Sequence, residues 1–291
     1  GWSPIFYITG VAGLLWSVVW FIVVKNCPDD DPRISAEELK YIKDSLGENN
    51  NAVKHTKKIK HPWSKILTSI PLWAVIFTNF CMTWIHYTIL TLLPMFMKDV
   101  FNYDSTKAGF ITSLPYIVMA ITMQFAGALS DWLANKNVLP TTMIRKVLVC
   151  GPFVIQAACL TLVGHLTSIV AVIILLMIDV GLESFTMTSA FVNCLELAPQ
   201  HASVMFGLSN TFATLAGSIS PLITGFIVTD HTEEQWRTVF YIASAIVLLG
   251  ALQYCIFAVG EKQPWAKDVI ELTENNGNIK TEKNSYGEQR Q

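Results

Sequence analysis

Charge is scarce in this chain of 291 residues: Asp, Glu, Lys and Arg make up 14% of it, against 52% apolar residues. Soluble domains carry about 25% charged residues. None of the twenty Lys and Arg residues falls inside a long apolar run, Lys146 and Arg237 standing at the very start of two of them, as hydrocarbon demands when a central charge costs about 2.5–3.5 kcal/mol. The pattern excludes a soluble domain and identifies an integral, multi-pass membrane protein. A net charge of −2, with no basic patch interleaved with aromatics, excludes a nucleic-acid groove and gives no nucleic-acid partner. Cys27, Cys81, Cys150, Cys159, Cys194 and Cys255 stand singly, without the paired spacing of a zinc or redox site, and read as small buried apolar residues. There is no P-loop, no nucleophile motif with a Ser-His pair and no metal cluster. Asp179 is the one Asp inside an apolar run, which excludes an intramembrane aspartyl protease. These absences predict a protein that is not an enzyme and has no cofactor or metal. The chain also lacks an initiator Met, a signal peptide and an N-x-Ser/Thr sequon, and it starts one residue before an apolar run. It is expected to be a fragment whose N-terminal part is missing.

A membrane helix needs about 20 predominantly apolar residues, and seven stretches qualify: 2–24, 71–97, 108–130, 146–164, 168–192, 203–228 and 237–259. Basic residues number nine in 25–70, three in 131–146 and five beyond 260, against three in the alternate loops. The positive-inside rule makes the richer segments cytoplasmic, so the chain starts outside and ends inside. In the first cytoplasmic segment, 25–70, Ser35 and Glu38 form a capping box, and Leu39, Ile42 and Leu46 give one apolar face that ends near Gly47. A short surface helix is expected there, followed by a mobile polar stretch at 48–60. A tail over 260–291, disordered from about Lys267, follows a six-helix bundle at 71–259.

The chain is organised around Asn193 to Gly225, where one span ends in a short polar turn and the next begins. Ser203, Gly207, Asn210, Thr214, Gly217, Pro221 and Gly225 recur at three- and four-residue steps, giving one small or polar helical stripe. Such a stripe either packs closely on another helix or leaves room for a ligand, and Asn210 needs a partner. His86 shares a face with Asn79 and Thr83 and adjoins Tyr87, and it is either hydrogen-bonded structure or part of a pathway lining. Asp179 and Glu183 lie four apart on one helical face. They suit a proton or sodium site, or a structural pairing. In the third span Ser113, Tyr116, Gln124, Gly127 and Asp131 lie near one side, with Pro115 able to kink the helix.

Several strings resemble the second half of the major facilitator superfamily, in the solute carrier family 17 group of sialin, the vesicular glutamate transporters and the sodium-phosphate cotransporters. They are GWSPIFYITG, ISAEELKYI, PWSKILTSIPLWAVIFTNF, WIHYTILTLLPMFM, FITSLPYIV, GALSDWL, IRKV, VNCLELAP, FGLSNTFATLAGSISPLITG and WRTVFYIASAIVLLGALQYCIFAVGEKQPW, and they run from residue 1 to about 266. The resemblance implies an all-α membrane fold, with these seven spans as numbers six to twelve of twelve, and a small anionic substrate bound near the bilayer midplane between two halves. It implies a missing N-terminal half as partner, coupling to H+ or Na+, and residence in a plasma, lysosomal or vesicular membrane. Gly127 to Asp131 resembles the superfamily's cytoplasmic gating motif, although Trp132 stands where a basic residue is usual. The resemblance implies departures too: Cys194 and Glu196 stand where the family commonly shows His and Asp, Met82 where the glutamate-transporting branch has Arg, and His86 in place of an aromatic, which favours a sialin-like or phosphate-cotransporter-like role over vesicular glutamate transport. The glycine-rich start of the fifth span in relatives is interrupted here by Glu183 and Ser184. With no Lys or Arg expected inside a span, the charge that meets an anion is expected in the missing half.

The substrate pathway is therefore expected to involve Asn79, His86, Tyr87 and Asn210, with Asp179 and Glu183 as the candidates for cation coupling. Two other classes fit parts of the pattern. A truncated isoform would act only as a regulatory or interaction subunit. A seven-helix receptor shares the span count and exterior start but would carry Asp-Arg-Tyr and Asn-Pro-x-x-Tyr signatures, which are absent.

Overall fold

The computed structural model describes residues 3–25, 28–45, 61–103, 105–136 and 139–266. Cys27, Leu46, Gly47, the polar stretch 48–60 and the tail from 267 lie outside the described residues. Among those residues all regular structure is helical, because a chain in hydrocarbon must satisfy its backbone groups internally. The chain divides into two compact units, Gly1–Lys60 and His61–Gln291.

The first unit holds α1 (Ser3–Val23) and α2 (Ala36–Ser45). No residue of α1 is buried, and its large apolar side chains, Phe6, Trp16 and Phe21 among them, are exposed. Arg33 donates to the Val23 carbonyl, which caps the C-terminus of α1, and is held in place by Asp31 at 3.0 Å. The guanidinium hydrogen bond keeps the Asp31 carboxyl below its ordinary pKa. Ser35 caps α2 as expected, its hydroxyl accepting from the Glu38 N–H at 3.1 Å.

The second unit comprises α3 (Trp63–Leu67), α4 (Ile70–Phe101), α5 (Ser105–Asn135), α6 (Thr141–Val163), α7 (Ile169–Leu197), α8 (Ala202–Ile227) and α9 (Glu233–Phe257). The principal helix pairs are α4 with α8, α5 with α7, and α6 with both α7 and α9. Pairing of α4 with α9 and of α4 with α7 closes the bundle, so the core runs along α4 and includes Trp84, Phe153, Val180, Phe240 and Tyr254. The left-handed Asn102 (φ 54°) ends α4, its N–H bonding the Lys98 carbonyl while Tyr103 reaches back to Met97, the geometry of a C-terminal cap. A capping box between Thr232 and Gln235 starts α9. Pro94, Pro115, Pro152 and Pro221 all lie inside helices, as membrane helices tolerate.

Seven helices of spanning length match the seven apolar stretches in order. Six of them are also apolar enough to cross a membrane by composition alone. The seventh, α8, has 26 residues, but Asn210 and its many Ser, Thr and Gly residues lower its hydropathy. It belongs to the bundle through its packing on α4. A second difference concerns the fourth span. Helix α6 begins at Thr141, behind Pro140, which takes Arg145 inside the helix, 3% exposed. The expectation that no Lys or Arg lies within a span is corrected: Pro140 is a helix-start signal five residues before the first basic residue.

Gly260 follows α9 and lies against the start of α6, its N–H donating to Thr142 Oγ1 at 2.9 Å. A Cβ there would lie 2.8 Å from the Thr142 backbone nitrogen, and backbone cannot swing aside. Gly260→Ala is expected to cost about 1–3 kcal/mol, read as a lower melting temperature in detergent. Gly151→Ala, where a Cβ meets nothing within 4 Å, should leave melting unchanged or slightly raised.

Candidate functional site

Helix α8 approaches α4 closely because its contacting face is small. The Thr88 and Ser220 hydroxyls are hydrogen-bonded between the two helices. A Cβ on Gly217 would lie 2.8 Å from the Tyr87 ring. Two turns away along α4 the helices open into a cavity of about 330 Å³, lined by Asn79, Met82, Thr83, Phe191, Phe206, Gly207, Asn210 and Ala213. Gly207 leaves this space free, since nothing stands within 4 Å of where its Cβ would be. Asn79 donates to Ser209 Oγ at 2.5 Å, while its own Oδ1 is buried without a partner. Asn210 is exposed, and its backbone carbonyl accepts from Thr214. The arrangement offers amide and hydroxyl groups on an otherwise apolar wall, the usual make-up of a small-ligand site.

The structure thus brings Asn79 and Asn210 to one cavity and leaves His86 and Tyr87 outside its lining. Tyr87 stacks over Gly217 instead. His86 turns to α7, where its Nδ1 lies 2.9 Å from Glu183 Oε1. Around this pair four helices converge on a polar cluster near the middle of the bundle. Asp179 is fully buried with neither carboxyl oxygen hydrogen-bonded, and Glu183 Oε2, Tyr116 Oη and Gln156 Oε1 are also buried without partners. Gln156 uses its Nε2 to bond the Asp179 carbonyl at 3.0 Å. Next to the cluster, Thr122 and Ser184 share a hydroxyl–hydroxyl bond of 2.9 Å between α5 and α7. The spacing of Asp179 and Glu183 placed them on one face, but only the fold shows that the third member comes from α4.

At the end of the bundle expected to face the cytoplasm, Arg145 of α6 forms a fork on Glu196 of α7, with Nε–Oε2 at 2.9 Å and Nη2–Oε1 at 2.6 Å, and reaches Ser130 of α5 at 2.7 Å. Gly127 has open space at its Cβ position. Asp131 is exposed and makes no ion pair among the described residues. The charge pair at this end is therefore built from Arg145 and Glu196 rather than from Asp131. Arg145 is the member of this pair that the sequence did not single out. The signal for it was Glu196, an acid at the end of a span that demands a cation from a neighbouring helix.

Comparisons with known proteins agree with this architecture. The sequence matches the Major Facilitator Superfamily over residues 1–221 and 145–283. Vesicular glutamate transporter 2.2 of Danio rerio is 39% identical over 99% of this chain and 51% of its own length. Vesicular glutamate transporter 1 of Xenopus tropicalis is 40% identical over 92% and 46%, and vesicular glutamate transporter 2 of Homo sapiens is 38% identical over 91% and 46%. The chain spans about half the length of these relatives. Among solved structures, a bacterial homologue of the human lysosomal transporter Spinster superposes with a TM-score of 0.62 at 12% identity, covering 90% of this chain and 61% of that one, which is a likeness of fold. Bundle, span order and sequence agree: this chain belongs to the major facilitator superfamily, in the solute carrier family 17 group.

Proposed function

We propose that the carrier containing this chain moves a small organic anion or inorganic phosphate across a membrane, coupled to H+ or Na+, by alternating exposure of a site between its two halves. The observation that carries this reading is the cavity between α4, α7 and α8, where Asn79 and Asn210 meet on an apolar wall. Amide N–H groups donate to carboxylate or phosphate oxygens without binding the anion so tightly that it cannot leave. Among the described residues of the second unit the one buried guanidinium, that of Arg145, is spent on Glu196. The cation that offsets desolvation of the substrate therefore comes from the half outside this chain. The names of the vesicular glutamate transporters support an organic anion and a vesicular membrane. Met82, His86, Cys194 and Glu196 favour an anion other than glutamate, in the manner of sialin or the phosphate cotransporters.

In the complete carrier, Asn210→Ala and Asn79→Ala are each expected to raise KM for uptake about three- to tenfold, the size of one lost hydrogen bond to a charged group, with membrane abundance unchanged. Unchanged uptake kinetics in both variants would remove these residues from the pathway.

A further inference from the structure

We propose that the cluster of Asp179, Glu183 and His86, at the centre of the second unit, is the site that binds and releases the coupling proton. The proposal rests on the transport reading above and deepens it by naming the coupling ion and its seat.

The titratable and polar groups at the cluster come from four helices. From α7 come Asp179 and Glu183, from α4 His86 with the Tyr87 ring edge-on to it at 5.5 Å, from α5 Tyr116, and from α6 Gln156 and Cys159. Helix α8, which also packs on α7, brings no titratable side chain. The Glu183 side chain is 4% exposed and is met by His86 at 2.9 Å, so an imidazolium balances one carboxylate. Nothing balances the other. Asp179 is fully buried, and neither of its oxygens meets a donor or a cation. An ionised carboxylate in such surroundings costs several kcal/mol, and a carboxyl that must be accommodated there holds its proton.

The ligand is a proton rather than sodium. Sodium sites draw several oxygens around one point, whereas here a nitrogen base already holds one of the four carboxylate oxygens, Glu183 Oε1, and only the other three are free. His86 is also the member with access to the outside: its side chain is 28% exposed, that of Glu183 4%. In the loaded state the proton count is two, one on the imidazole paired with Glu183 and one on Asp179, and the cluster is neutral. Discharge breaks one N–H bond of the imidazolium and passes that proton to water on the exposed side of His86. The remaining proton is shared by two carboxyls whose Cβ atoms lie about 5–6 Å apart at i and i+4. The cluster then carries one negative charge in the interior of a half-carrier. An anion is accepted by the neutral form and repelled by the charged form, which ties proton and anion to the same direction of movement.

The test uses the complete carrier in lipid nanodiscs and in liposomes. Infrared difference spectra at neutral pH should show the C=O stretch of a buried carboxylic acid that Asp179→Asn abolishes and Glu183→Gln shifts, with no change when sodium replaces potassium. In liposomes, the ratio of pH-gradient-driven uptake to substrate counterflow should fall about tenfold in Asp179→Asn and in His86→Gln, an ordinary size for coupling between two sites. Loss of counterflow in the wild type would sink the transport reading while leaving the infrared result legible. The proposal is overturned by an Asp179→Asn spectrum identical to wild type, by a band that responds to sodium rather than pH, or by an unchanged uptake-to-counterflow ratio in both variants.

Discussion

Glu196→Gln is expected to be the most destabilising conservative substitution in the bundle, costing about 3–5 kcal/mol and lowering the melting temperature more than any other single change of acid to amide. The reason lies in what it leaves behind. Arg145 is 4% exposed at its side chain, while Glu196 is 23% exposed. Removing the carboxylate strands a guanidinium in the interior with the Ser130 hydroxyl as its remaining side-chain partner. Arg145→Gln strands the carboxylate instead, which can draw on water, so its cost should be smaller. Replacing both partners with apolar residues of similar volume, Arg145→Met with Glu196→Leu, should recover most of the loss, because a buried ion pair gains little over good packing. Thermal unfolding of the four proteins in one detergent checks the ranking. Equal losses in the two single variants would show that burial does not set the cost.

The second large effect is expected at the His86–Glu183 pair. His86→Phe keeps an aromatic of similar size, yet by itself it should destabilise by about 3–5 kcal/mol, since Glu183, 4% exposed, loses its bond at 2.9 Å. Glu183→Ser alone removes the buried acid and should cost much less. In the double variant about 2–3 kcal/mol of the His86→Phe loss should be recovered, which is the coupling between the two side chains. Additive losses in the unfolding cycle would mean that the two side chains do not depend on each other.

Much of the fold could be read from hydropathy, because insertion into hydrocarbon imposes a rule on every span that tertiary context seldom overrides. Where the reading went astray, the cause was local. Helix α6 starts at Thr141 rather than near 146 because a helix is bounded by its capping signal, here Pro140, and not by the edge of its apolar run. Helix α8 belongs to the bundle although its hydropathy is low, because the polar face that lowers it is spent on α4 through Thr88, Ser220 and the Tyr87–Gly217 contact.

The candidate sites were legible to the extent that they lie on one helix. Asp179 and Glu183, and likewise Asn79 and His86, were visible as stripes by their spacing. Which stripe meets which could not be seen, because that depends on how helices far apart in sequence pack. Asn79 and Asn210, separated by 131 positions in numbering, come to one cavity, whereas His86, seven residues from Asn79, turns to α7. Arg145 was hidden for the same reason, since its partner Glu196 and its neighbour Ser130 lie on two other helices.

The central claim is that this chain forms one wall of an anion carrier. The most direct measurement is uptake of radiolabelled organic anions and phosphate by the purified complete carrier in liposomes, with a pH gradient and with a sodium gradient in turn. The account predicts saturable accumulation of at least one small anion under the pH gradient, with a KM raised by Asn210→Ala. Absence of saturable uptake of any anion, in protein shown to be folded by its melting transition, would contradict it.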